Sequence, residues 1–197
     1  MGSLHNAAQW GGLAAVGRHL DSGVAVDLQT KEGISALMIA SGNRKKEVVE
    51  VLLQRGAEVN LQNKWGSTAL MLAAHNSDSE VVALLLDSGA KLDVQSTRGT
   101  TALMDASRAG AKEVVALLLA RGADVALQDQ QGKTAQGLAE EMGEKEVAAL
   151  LAEAPAQVAL VHLHPRAPHC AREADQLHPW PWQVAEHDSA SEPPESA

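Results

Sequence analysis

At 197 residues the chain has room for one ordinary domain, and its formal net charge of −9 argues against a nucleic-acid or anionic-membrane partner. Aromatics make up 2 %, all of them Trp, so the core has to rest on Leu, Val, Ala and Met. A single cysteine, Cys170, excludes an internal disulfide framework, no apolar run reaches the roughly 18 residues of a membrane span, and no secretory signal is visible, which together place the chain in the cytoplasm or nucleus.

The first elements are two short helical patterns, Leu4 to Ala8 and Leu13 to Leu20, closed by DSGVAVDLQ. Gly11, Gly12 and Gly17 lower helix propensity there, and Trp10 with His5 is read as local packing over an exposed end. Next come a short helix from Ala36 to Ser41 and a longer one from Lys46 to Gln54, with Val48, Val49, Leu52 and Leu53 on one buried stripe. The same plan returns with Thr68-Ala69-Leu70-Met71 and the Val81 to Leu86 stripe, where Asp78 or Ser79 caps the second helix. It returns again with Thr101-Ala102-Leu103-Met104 and the Val114 to Leu119 stripe. The last pair, Ala135 to Met142 and Lys145 to Glu153, is rich in Glu and presents a polar outer face.

A period of 33 residues underlies this order. Gly33, Gly66, Gly99 and Gly132 open the units, and Gly23, Gly56, Gly89 and Gly122 close the second helices. Repeat boundaries are expected near 1–29, 30–62, 63–95, 96–128 and 129–153. One unit cannot bury its apolar face alone, so the stack is the fold, with atypical units at both ends. The segment 154–197 holds all seven prolines, several His and Glu, and no clear period, and it reads as a disordered tail. Within it His178-Pro-Trp180-Pro-Trp182 is either a short docking motif or a stretch without function.

The motif G-x-T-A-L-M-x-A-A-x(5)-E-V-V-x-L-L-L-x-x-G-A resembles the ankyrin repeat. The family's Thr-Pro-Leu-His stands here as Ser35-Ala36-Leu37-Met38, Thr68-Ala69-Leu70-Met71 and Thr101-Ala102-Leu103-Met104. The resemblance implies an all-α repeat solenoid of stacked helix-turn-helix pairs with projecting β-hairpins. It also implies partner binding along the hairpin tips and the concave first-helix face. Carried onto this sequence, the hairpin residues are Lys31, Glu32, Lys64, Trp65, Arg98 and Gln131, and the first-helix ends supply His75, Asn76 and Arg108.

Trp65 stands out because the helical stripe does not need it. It either folds over its own hairpin stem and Lys64 or meets a partner, with Arg98 and Arg108 as a basic rim. Asp105 replaces the Ile39 and Leu72 of earlier units, so it is half exposed or bonds locally to Ser107 or Arg108. His162, His164, His169, Cys170 and His178 lack the paired spacing of a zinc site, and no phosphate loop is present, so no metal, cofactor or catalysis is expected. The expected function is that of a monomeric protein-interaction module or adaptor, its partner an acidic or mixed-charge protein segment. A structural or self-assembling repeat is the alternative.

Overall fold

The computed structural model describes residues 3–10 and 12–163, with side chains to Ala154. Among them ten helices form five antiparallel pairs. The inner helices are α1 (Leu4–Trp10), α3 (Ala36–Gly42), α5 (Ala69–His75), α7 (Ala102–Arg108) and α9 (Ala135–Met142). The outer ones are α2 (Leu13–Asp21), α4 (Lys46–Gln54), α6 (Ser79–Asp87), α8 (Lys112–Ala120) and α10 (Lys145–Leu163). The last helix runs through Pro155 and beyond the expected end at Glu153. The expected disorder of the tail beyond Leu163, and the candidate residues Trp180 and Trp182, lie outside the described residues.

Four of the five inner helices, α3, α5, α7 and α9, start for the same local reason. Ser35, Thr68, Thr101 and Thr134 have extended backbone, and their hydroxyls accept from the backbone N–H three residues on, at 3.3–3.4 Å. Asp78 caps α6 by accepting from the Val81 N–H at 3.1 Å. The core follows from the two stripes. Leu37, Met38, Leu70, Met71, Leu103 and Met104 from inner helices meet Val48, Leu52, Val81, Leu85, Val114 and Leu118 from outer ones, all buried. Ala40, Ala73, Ala74 and Ala106 are also buried, and such small side chains let successive inner helices lie close together.

The projecting β-hairpins do not occur. Among the described residues there is no strand, only an isolated antiparallel bridge between Gln29 and Ser35. The linkers between pairs are instead tight turns whose donors are consumed internally. In the turn 63–67, Asn63 N–H donates to the Ser67 carbonyl, Gly66 N–H to the Asn63 carbonyl, and the Asn63 Oδ1 accepts from both Trp65 and Ser67 N–H. Thr30, Ser96 and Asp129 hold the matching turns in the same way with one side-chain oxygen. One backbone bond passes from each turn to the next: Lys64 N–H to the Glu32 carbonyl, Thr97 N–H to that of Trp65, and Gln130 N–H to that of Arg98. A single bond per step makes a stack of turns and no ladder.

Close stacking also fixes the turn glycines. Gly66 and Gly99 sit at φ +71° and +77°, and a Cβ on either would lie 2.9 Å from backbone of the next turn. Gly132 has open space there among the described residues. The outer helices are tied by exposed ion pairs: Asp21–Arg55, Lys46–Glu80, Asp87–Arg121 and Lys112–Glu146, at 2.7–3.0 Å.

Candidate interaction site

Trp65 owes its position to the turn that carries it. Its N–H is held by Asn63 Oδ1 at 3.0 Å, and its carbonyl accepts from both the N–H and Oγ1 of Thr97, at 2.8 and 3.1 Å. The backbone is clamped on both sides while the indole remains 53 % exposed. The ring does not simply fold over its own turn. It forms one wall of a cleft of about 190 Å³ between the third and fourth helix pairs. Half-buried Leu72 of α5 contributes apolar surface over the buried Met71, and His75 stands at the end of that helix. The far wall comes from Arg98 and Thr100 of the following turn and from Asp105 and Arg108 of α7. A second cleft of about 150 Å³ adjoins it, sharing Arg98, Thr100 and Arg108 and adding Asp129 and Gln131. The two arginines therefore stand between the clefts.

The electrostatics are uneven. Arg98 and Arg108 make no ion pair among the described residues, and neither does Asp105. Ser107 does not bond to Asp105, because its hydroxyl donates to the Leu103 carbonyl at 2.7 Å. Asp105 is half-buried, and burial pushes its carboxyl above the usual carboxylate range against the opposing pull of Arg108, His75 and Arg98. Partial burial costs this carboxylate hydration, while its oxygens keep contact with solvent, since Ser41 Oγ is the one buried side-chain oxygen without a partner among the described residues.

Of the residues expected to bind, the structure brings Trp65, His75, Arg98 and Arg108 together in the first cleft, and Gln131 joins through the second. Lys31, Glu32 and Lys64 are exposed on their turns and line neither cleft. Asn76 is structural: its amide donates to the carbonyls of Gly42 and Leu72 at 2.9 Å, and its own carbonyl accepts from Arg44. Met71 and Leu72 line the first cleft without having stood among the candidate binding residues. Asp105 was noted as a break in the apolar pattern, and that break was the available signal of its place in the cleft. At the other end of the stack, Trp10 is 79 % exposed and does not pack over the end unit, whereas His5 Nε2 bonds the Ile34 carbonyl at 3.0 Å.

Among the described residues no group of three or more His, Cys, Asp or Glu could hold a metal ion, and no helix is long and apolar enough to cross a membrane. The family model for ankyrin repeats (3 copies) matches residues 4–96 and again 79–161, and the chain belongs to the ankyrin-repeat family. That family is a non-catalytic scaffold family, and its fold serves protein interaction. The comparison with curated proteins found no match.

Proposed function

We propose that the chain receives an acidic or mixed-charge segment of a partner protein in the cleft formed by Trp65, Met71, Leu72, Arg98 and Arg108. The observation that supports this reading is the meeting of a backbone-clamped, half-exposed indole with two guanidiniums that have no ion-pair partner among the described residues. Trp and Arg are the residues most enriched at binding hot spots. A clamped backbone loses little freedom on binding, so most of the contact energy is retained as affinity. Affinity capture from cell extract with the intact chain, Trp65→Ala and the double variant Arg98→Ala/Arg108→Ala tests the reading. Proteins held by the intact chain and released by both variants support it; a set unchanged by either variant overturns it.

A second reading, self-association, rests on Trp10 and Leu13, which are 79 % and 43 % exposed beside each other at the first helix pair. Sedimentation of the intact chain against Trp10→Ser over a range of concentrations separates the two. A concentration-dependent oligomer abolished by Trp10→Ser favours assembly, and a monomer throughout leaves the interaction module alone.

A further inference from the structure

The first cleft contains a carboxylate in the place least expected of a site for an acidic partner. Asp105 stands where Ile39 and Leu72 stand in earlier units, and the matching residue of α9 is Leu138, buried. It therefore replaces an apolar side chain that the helix would otherwise place there. Around it stand His75 from α5, Arg98 from the turn before α7 and Arg108 from α7 itself, with Asp129 beyond the two arginines in the adjoining cleft. Among the described residues Asp105 makes no ion pair or side-chain hydrogen bond, so its charge is held only at a distance, by Arg108, His75 and Arg98.

We propose that Asp105 is a specificity-determining residue of this cleft, coupling the docking of an acidic peptide segment to the uptake of one proton from solvent. The proposal rests on the functional reading above and adds its regulation. An incoming Asp or Glu, preceded by an apolar residue seated on Trp65 and Leu72, brings its carboxylate to Arg98 and Arg108. The incoming carboxylate then takes up the pull of the guanidiniums and lies in the same cleft as Asp105, and like charges in one cleft resist joint ionisation. Asp105 is the one already disfavoured as an anion by burial, so it takes the proton on a carboxylate oxygen, and no other bond changes. The complex binds more protons than its separated parts. Linkage then requires affinity to rise as pH falls, until the partner's own carboxylate protonates. Repeats with Ile39 or Leu72 at this position have no such dependence.

The test begins with a phage library of random dodecapeptides panned on the full chain at neutral pH and at a mildly acidic pH, above the ordinary carboxylate range of about 4. Peptides released by Trp65→Ala and carrying an apolar-acidic pair, enriched more strongly at the lower pH, are expected. A synthetic peptide of the selected sequence is then titrated calorimetrically in buffers of different ionisation enthalpy. Intact protein should take up protons on binding and gain affinity by up to about tenfold per pH unit. Asp105→Leu and Asp105→Asn should abolish that uptake while still binding, and His75→Gln should retain it. Trp65-dependent peptides without acidic residues, or proton uptake that survives Asp105→Leu, overturn this inference and leave the cleft as the binding site. A library with no Trp65-dependent peptide overturns both.

Discussion

Trp65 shows how a single residue can be rigid in its backbone and open in its side chain. Because its indole contributes nothing to the buried core, Trp65→Ala should leave the thermal midpoint nearly unchanged. It should weaken partner binding by about tenfold or more, the scale of an aromatic hot spot. Paired melting and binding measurements on the same preparation check both halves. Asp105 makes the opposite prediction. Its folded carboxyl holds a proton more firmly than the unfolded one, so its contribution is fully present below the ordinary carboxylate range and is lost as pH rises through the raised folded value. Asp105→Leu should therefore be more stable than the parent at neutral pH, by about 1 kcal/mol from restored apolar burial and removal of the charge. Melting curves from mildly acidic to neutral pH should show a smaller decline for the variant. Both residues are visible in the sequence, Trp65 as a ring the helical stripe does not need and Asp105 as a break in the apolar pattern. The cleft between them was not, since Met71 and Leu72 carry the same letters whether they pack inward or line a groove.

At the scale of the element, the turns carry the main correction to the sequence reading. The family resemblance implied a hairpin at each Gly-containing turn between helix pairs, and among the described residues no hairpin forms there. What the period could not show is that Thr30, Asn63, Ser96 and Asp129 would satisfy two backbone donors each and leave too few for a strand. The stacking of those turns has its own test. Gly99→Ala and Gly132→Ala share a left-handed backbone, which costs about 1 kcal/mol for any Cβ. Only Gly99 adds a 2.9 Å approach to the backbone of Asp129. Denaturant unfolding should show Gly99→Ala destabilised by about 2–4 kcal/mol and Gly132→Ala by about 1 kcal/mol. The link between inner and outer helices offers a gain instead. Ser77 is left-handed at φ +58°, where the later units have Gly110 and Gly143. Ser77→Gly should stabilise the fold by about 0.5–1 kcal/mol in the same assay.

Over the whole molecule, stability is a sum of unit and interface contributions, so opening should start where one interface is missing. The first pair is the weaker end: α2 buries only Val16 within its length and contains Gly17. Native-state hydrogen exchange should find α1 and α2 exchanging well before α5 to α8. The ion pairs along the outer helices will not alter that order. All are exposed, each is worth at most about 1 kcal/mol, and salt screens them.

Their arrangement nevertheless carries a history. Asp21–Arg55 reappears two repeats later as Asp87–Arg121, and Lys46–Glu80 reappears as Lys112–Glu146. Successive seams alternate between the two kinds, so the pattern recurs every two repeats. Excising two repeats between α2 and α8 would set Asp21 opposite Arg121 and leave every remaining charge matched. Excising only the repeat of α5 and α6 would set Gln54 there and strand a guanidinium on the outer wall. A lineage that lengthens or shortens this protein by twos keeps its seams intact, and one that does so singly must mend a seam each time.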